Sequence, residues 1–234
     1  MKADLHIHTT FSDGVSSPQE IVKAAIKKDI KCICITDHGE VEGAIRAMKF
    51  AFDKDILVIP GIEVTTTSGH ILGINVKRAI PDGLSAKQTI NQIRKQGGLA
   101  VIAHPFDWPI EDFLGGEEII RAISPDGIEV FNAAVLVKSS NKKAFDFASR
   151  NNFCFTAGSD AHRADFIGRG YLEISDKVQS AEDLLREIRD KRVKPGGTPL
   201  SFWEILKMLG NNSVSFKKAV NYYKFRKKRE RLTT

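Results

Sequence analysis

The sequence predicts an α/β fold built from alternating strands and helices. Short apolar runs typical of buried strands alternate with amphipathic stretches through most of the chain, which favours parallel βα units. Residue types that bind metals follow several of these runs, as expected where the carboxyl ends of parallel strands form a site. About seven units in roughly 190 residues would be near the lower size limit of a closed barrel. An open doubly wound sheet is the alternative architecture.

The composition is typical of a globular protein. The chain has 234 residues, 42% of them hydrophobic, which is enough for one large domain or two small ones. It contains no apolar run of membrane-spanning length and no signal-peptide pattern, so we expect a cytoplasmic protein without a membrane partner. Three cysteines without CxxC spacing indicate a reducing compartment and no disulfide framework. Cys32 and Cys34 lie inside an apolar run and are predicted to be core residues.

Helices are predicted where apolar residues recur at helical spacing between capping and helix-ending residues. Ser16 and Ser17 are candidate N-caps before Pro18, which suits the first turn, and Ser180 is a candidate N-cap further on. The predicted helices are residues 18–28, 41–52, 85–96, 111–123 (interrupted by two glycines), 139–151 and 180–191.

Strands are predicted where short apolar runs end at turn residues or polar residues. In the first run, residues 3–8, apolar residues alternate with Asp4, His6 and His8, so both imidazoles project from one face. Two histidines in register are better explained as metal ligands than as two separate core residues. The other predicted strands are residues 31–36, 56–60, 70–76, 99–103, 127–131, 153–157 and 170–174.

Nine imidazole and carboxylate residues stand at or near the predicted strand ends. Any one of them could cap a strand, but that explanation is weak for all of them together. They are His6, His8, Asp13, His38, Glu63, His70, His104, Asp160 and His162, and they include every histidine of the chain. Such ligands without a thiolate suit Zn²⁺, Mn²⁺ or Fe²⁺. Nine groups are too many for one ion, so we expect two or three ions with a bridging carboxylate.

A cluster of divalent ions predicts hydrolysis, most simply of a phosphate ester. It lowers the pKa of a bound water and stabilises the entering and leaving oxygens of a phosphoryl group. The sequence offers no convincing nucleophilic serine or cysteine, so we expect a metal-bound hydroxide to be the nucleophile. Hydrolysis of a cyclic amide is the nearest chemical alternative.

The motifs that carry these residues resemble those of the PHP (polymerase and histidinol phosphatase) family. HIHTTFSDG, ITDHGE, GIEV, GHILGI, AHP and GSDAH occur in the family's order between residue 1 and about residue 174. The resemblance implies a distorted (β/α)7 barrel, here residues 1–195, with a metal site at its carboxyl rim.

The resemblance also implies how the ligands are shared. It assigns His6, His8, Glu63 and Asp160 to a first ion, Glu63 with His70 and His104 to a second, and Asp13, His38 and His162 to a third. Asp13 stands where several relatives have histidine, and His70 could equally be a packed strand residue.

Four neighbouring residues are candidates for supporting roles. Arg163, Asn132 and Arg169 are predicted to bind the substrate, Arg163 by a bidentate contact with phosphate. The structural alternatives are a rim salt bridge for either arginine and a loop cap for Asn132. Asp37 precedes a ligand and is predicted to orient it, unless it serves only an ordinary turn.

The basic character of the chain is concentrated near its C-terminus. Residues 217–231 contain eight basic residues and one acidic residue, whereas the rest of the chain is nearly neutral. We expect residues 196–234 to form a segment that packs on the barrel or extends from it, with nucleic-acid binding through residues 217–231 as the alternative.

The main functional prediction is hydrolysis of a small phosphorylated metabolite or nucleotide. A first alternative is a nuclease that acts on DNA or RNA ends and uses the basic segment as an anchor. A second is a non-catalytic RNA-binding barrel subunit, against which the complete ligand set argues.

Overall fold

Nine strands form one sheet that curls into a nearly closed barrel in this computed structural model, which describes residues 1–107 and 113–209. The strands are β1 (Lys2–Asp4), β2 (Cys32–Ile35), β3 (Leu57–Thr66), β4 (Gly69–Ile74), β5 (Leu99–Ile102), β6 (Gly127–Asn132), β7 (Cys154–Gly158), β8 (Gly170–Glu173) and β9 (Lys194–Gly197). The helices are α1 (Pro18–Lys27), α2 (Glu42–Ala51), α3 (Ala86–Lys95), α4 (Gly116–Ile123), α5 (Ser139–Arg150), α6 (Ala181–Arg189) and α7 (Phe202–Leu209). None of these helices is long and apolar enough to cross a membrane.

The barrel closes where the chain beyond β1 meets β7. The strand order is β7-β6-β5-β4-β3-β2-β1-β8-β9. At the seam, Leu5 N–H donates to the carbonyl oxygen of Ala157 at 3.3 Å, and Asp160 N–H donates to that of His6 at 2.9 Å. The barrel prediction is therefore confirmed, and the open doubly wound sheet is excluded.

The expected parallel pairing of the strands does not hold at two places in the sheet. β4 runs antiparallel to β3 and β5, and β8 runs antiparallel to β1 and β9. Only Thr67 and Ser68 separate β3 from β4, and so short a connection forms a hairpin because a parallel crossover needs a dozen or more residues. β9 was not predicted, since Pro195 and two glycines are poor strand formers. Its place at the edge of the sheet tolerates the proline.

Helix starts follow the capping residues closely. Ser17 and Ser180 accept backbone N–H groups in the first turns of α1 and α6, as predicted. The helix predicted over residues 111–123 begins only at Gly116, after Gly115 adopts a left-handed conformation with φ 83°. The first residues of that predicted helix, 111 and 112, lie outside the described residues.

The barrel interior is apolar, and two further apolar clusters lie beneath the helices. Cys32 and Cys34 are fully buried in the interior cluster, as expected for core residues. Burial raises the pKa of the Cys32 thiol to about 12, so it stays protonated. The chain beyond β9 packs on the outside through the buried residues Leu200, Ile205 and Met208. The basic stretch 217–231 lies outside the described residues.

Candidate metal centre

The structure brings all nine predicted metal ligands to one end of the barrel. His6 and His8 follow β1, His38 follows β2, Glu63 and His70 lie on the β3–β4 hairpin, His104 follows β5, and Asp160 and His162 follow β7, while Asp13 lies in the loop after His8. They form overlapping groups whose ligand atoms lie within 4.8 Å of one another. His104 and Asp160 have positive φ values of 27° and 52°, a costly conformation that recurs at functional sites. Their role as ligands stays a prediction.

Glu63 lies at the centre of the cluster, with different histidines facing its two carboxylate oxygens. Its Oε2 is 3.1 Å from Nε2 of His6 and 3.1 Å from Nε2 of His8. Its Oε1 is 3.1 Å from Nδ1 of His70 and 3.3 Å from Nε2 of His104. A carboxylate placed in this way can bridge two cation sites.

A second group lies on the open side of the cluster around Asp13. Its Oδ2 is 3.1 Å from Nε2 of His162 and 3.7 Å from Nε2 of His38, and its Oδ1 is 3.5 Å from Nδ1 of His8. Because Nε2 of His8 faces Glu63, this imidazole stands between the two groups. The Asp13 side chain is 54% exposed and that of Glu63 only 2%, so solvent reaches the cluster from the Asp13 side.

The donor atoms are spaced as ligands of shared cations are. Atoms about 2.1 Å from an ion are about 3.0–3.4 Å apart at octahedral or tetrahedral angles. The contacts of Glu63 with the histidines and of Asp160 with His6 and His8 lie at 3.1–3.5 Å, and Asp160 Oδ1 is 3.7 Å from Nδ1 of His162. Nδ1 of His8 is buried without a hydrogen-bond partner among the described residues, which is costly unless something binds there. Imidazole and carboxylate donors of this kind fit Zn²⁺, Mn²⁺ or Fe²⁺.

Burial and the carboxylates act in opposite directions on the imidazoles. Burial lowers the pKa of His8, but hydrogen bonds to Asp160 and Glu63 outweigh it and raise that pKa to about 10. The pKa of His6 is likewise raised well above its ordinary value because nearby carboxylates outweigh burial. Burial alone would raise the pKa values of Glu63 and Asp160, yet the histidines hold both well below their usual range. The cluster therefore keeps its carboxylates ionised and stabilises positive charge at its centre.

Both the sequence and the fold of the chain are similar to those of PHP-type proteins. A sequence model of the family described as PHP-associated matches residues 138–193. An uncharacterised protein of Methanocaldococcus jannaschii is 42% identical over 144 residues, which are 57% of this chain and 82% of the relative. A solved two-domain protein of Bacteroides vulgatus, which contains a predicted PHP-like metal-dependent phosphoesterase, superposes with a TM-score of 0.71. That match has 21% identity and covers 89% of this chain and 68% of the other, so it carries the fold alone.

The chain matches the PHP-associated family over residues 138–193 and has the fold of a PHP-like protein. Candidate metal-binding groups lie at the mouth of its barrel. A further relative, a 5′-3′ exoribonuclease of Haemophilus influenzae, is 31% identical over 104 residues, which are 43% of this chain and 38% of the relative. That match covers less than half of either protein.

Sequence reasoning missed Glu129, which lies directly behind the cluster. It is 1% exposed on β6, and its Oε1 is 2.9 Å from Nδ1 of His6. An acidic residue in the middle of an otherwise apolar strand was the available signal. The alternation that exposed His6 and His8 could not show it, because Glu129 is neither at a strand end nor part of a paired motif.

Of the three predicted substrate-binding residues, Asn132 is buried and hydrogen-bonded inside the barrel. It is 1% exposed, and its side-chain amide donates to Glu129 at 3.0 Å and to Asp160 at 3.1 Å. It therefore contacts the carboxylates of the cluster, and substrate binding by Asn132 stays a prediction. Arg163 is 35% exposed next to His162, and its Nη2 lies 3.6 Å from Asp165 Oδ2, a rim salt bridge of the kind given as the alternative.

Arg169 does not face the barrel mouth and instead anchors the chain before α7. Its guanidinium donates to Glu204 at 2.8 Å and to the carbonyl oxygens of Thr198 at 3.2 Å and Pro199 at 3.3 Å. The structure therefore pairs this guanidinium with α7, and substrate binding by Arg169 stays a prediction. Its sequence setting gave no sign of Glu204, which lies 35 residues further along the chain.

This anchor predicts an acid-sensitive contribution to stability. Hydrogen bonds from the Ser201 backbone and from Arg169 lower the pKa of Glu204 to about 2. The folded pKa is below the unfolded one, so the contribution is present above about pH 4.5 and is lost as the pH falls towards 2. We expect Glu204→Gln to cost at most about 1 kcal/mol at pH 7 and almost nothing near pH 2, measured by thermal unfolding. Glu173→Gln is the control, and equal losses for Glu204→Gln at both pH values would contradict the prediction.

Asp37 supports the loop that carries Asp13. Its Oδ1 accepts the backbone N–H of Thr9 at 2.7 Å and the hydroxyl of Ser12 at 2.7 Å. The sequence predicted instead that Asp37 orients His38. Its hydrogen bonds hold the loop on the open side of the cluster, and the orientation of His38 by Asp37 stays a prediction.

Proposed function

We propose that this chain hydrolyses phosphate esters with two or three divalent ions of zinc, manganese or iron at the barrel mouth. The observation that carries the proposal is Glu63, whose two oxygens face two sets of histidines at 3.1–3.3 Å. The residues that would hold the ions are His6, His8, Glu63 and Asp160, then Glu63 with His70 and His104, and finally Asp13, His38 and His162. When bound, such ions supply an activated water and neutralise charge on the phosphoryl oxygens.

The chain's own residues give the site a direction of approach. Glu63 and His6 are buried at the base, whereas Asp13 and His38 are partly exposed at 54% and 26% of their side chains. A phosphate group therefore enters past Asp13 and His38. Arg163 follows His162 on this side, and its Nη2 lies 3.6 Å from Asp165 Oδ2 on a side chain that is 35% exposed. A guanidinium in that position can hold a phosphate oxygen and orient the ester before hydrolysis.

The substrate is a small phosphorylated metabolite or a nucleotide. The second candidate is a nuclease, which the similarity to an exoribonuclease and the basic stretch 217–231 favour. The non-catalytic alternative assumed lost ligands, whereas all nine residues are present and clustered.

The test is a substrate screen with metal-reconstituted protein and elemental analysis of the purified sample. We expect turnover of phosphomonoesters or phosphodiesters, and a loss of more than about 100-fold in His8→Ala and Asp160→Asn, because each removes a proposed ligand. Equal turnover by the wild type and both variants would contradict the proposal. Removing residues 217–234 separates the candidates, since a nuclease anchored by the basic stretch would lose activity on oligonucleotides but not on small esters.

A further inference from the structure

We propose that Glu129 and Asn132, both on β6, set the coordinating form and position of three residues of the metal centre. The three are His6, His104 and Asp160, which come from three different parts of the barrel wall. Nothing in the family resemblance assigns either β6 residue a role. This inference rests on the proposed function, because it concerns how the chain prepares its proposed ligands.

The contact between Glu129 and His6 selects one tautomer of the imidazole. Glu129 Oε1 is 2.9 Å from Nδ1 of His6, and both side chains are fully buried. An ionised carboxylate accepts hydrogen bonds and cannot donate them, so Nδ1 carries the proton. Nε2 is then the nitrogen that would coordinate a cation, and it lies 3.1 Å from Glu63 Oε2 and 3.1 Å from His8 Nε2. Carboxylates that hold metal-binding histidines in this way also raise the basicity of the ligand.

The other oxygen of Glu129 holds the chain at His104. Its Oε2 accepts the backbone N–H of His104 at 2.9 Å and the side-chain N–H of Asn132 at 3.0 Å. The φ value of His104 is 27°, a conformation that L residues rarely adopt and that the surroundings must stabilise. Because the backbone N–H is held, the imidazole of His104 is kept beside Glu63.

Asn132 extends the same network to Asp160. Its Oδ1 accepts the backbone N–H of Ala134 at 2.8 Å, which fixes the amide with its NH₂ group towards the carboxylates. That NH₂ group donates to Glu129 Oε2 and to Asp160 Oδ2, the latter at 3.1 Å. Asp160 Oδ1 is thereby left facing the imidazole of His8 at 3.2 Å. Asn132 orients one oxygen of Asp160 so that the other is available to a cation.

The arrangement is a buried polar network in which every side-chain oxygen and nitrogen of Glu129 and Asn132 has a hydrogen-bond partner. Glu129 and Asn132 are both 1% exposed, and burying a carboxylate at this depth is costly unless it is well hydrogen-bonded. β6 lies between β5 and β7, the strands that lead into His104 and Asp160. A single strand therefore aligns residues that approach the centre from both of its neighbours and from β1.

The test compares zinc affinity in the wild-type protein and Glu129→Gln by competition with a chelator. We expect the variant to bind zinc about 10–100-fold more weakly. With its oxygen towards His6, the glutamine amide places its NH₂ against the N–H donors of His104 and Asn132. In the opposite orientation it forces the proton of His6 onto Nε2. Asp126→Asn is the matched control, because Asp126 also accepts a backbone N–H of β5, from Ala100, but at the other end of that strand.

A second measurement uses only the wild-type protein and does not depend on how the variant folds. In ¹H–¹⁵N spectra of the zinc-loaded protein, we expect His6 to coordinate through Nε2 and to carry a hydrogen-bonded proton on Nδ1. Coordination through Nδ1, or equal zinc affinity of Glu129→Gln and wild type, would overturn this inference alone. Failure of the wild type to bind zinc would overturn the proposed metal centre, and this inference with it.

Discussion

Glu63→Gln is expected to remove the metal bound on both sides of this carboxylate and to lower the rate of hydrolysis by more than about 100-fold. The reason is that it replaces a ligand that the two sites share. The substitution keeps the shape of the side chain but removes its negative charge and places N–H groups against imidazole nitrogens. Glu63 faces His6 and His8 with one oxygen and His70 and His104 with the other, so the loss extends to both sets. Elemental analysis after dialysis and the turnover of a phosphate ester measure the two effects.

Comparison with the metal content of His70→Ala shows whether Glu63 bridges two ions or binds only one. Nδ1 of His70 is 3.1 Å from Oε1 of Glu63, and His70 belongs to one proposed ligand set, so we expect this variant to lose one ion and retain the others. Glu40→Gln is the control for the chemical change, since the Glu40 carboxylate caps the start of α2 through the N–H groups of Val41 and Glu42. A Glu63→Gln protein that keeps its full metal content would show that Glu63 does not bridge.

Most of the site was predictable because its residues lie at the carboxyl ends of neighbouring strands. Side chains at the carboxyl ends of neighbouring strands must lie close together, so a sequence that places His38, His104 and Asp160 there predicts that they form a cluster. The contacts behind the cluster are different, because they join residues distant in sequence without a repeating pattern. Glu129 and His6, for example, lie 123 positions apart.

The fold was predictable to the same degree and for the same reason. Periodicity and caps locate α1, α3 and most strands within a few residues, since they depend on neighbours in sequence. Periodicity does not give strand direction, which at β4 follows from a connection too short for a crossover. Nor does it give β9, where Pro195 and its glycines form an edge strand because β8 offers them a partner.

Gly158→Ala is expected to destabilise the protein by about 3 kcal/mol, the upper end of the usual cost of overpacking. A Cβ at this position would lie 2.3 Å from Cβ of His6 and 2.7 Å from its backbone nitrogen, closer than real Cβ contacts. Backbone cannot yield as a flexible side chain does, so β7 would have to separate from the segment after β1. Thermal unfolding measures the loss, and for a chain of this size each kcal/mol lowers Tm by about 2–4 °C.

The control for this prediction is Gly97→Ala, where the backbone conformation rather than the available space disfavours a side chain. Gly97 has φ 77°, and a Cβ added there would have no heavy atom within 4 Å, so its cost is conformational and about 1–2 kcal/mol. Equal Tm values for the two variants would show that the seam tolerates a methyl group. A larger loss in Gly158→Ala should come with weaker zinc binding, because the segment after β1 carries His6 and His8 and β7 leads into Asp160. The seam that closes the barrel thus also positions the first two proposed ligands, so closure and metal binding should weaken together.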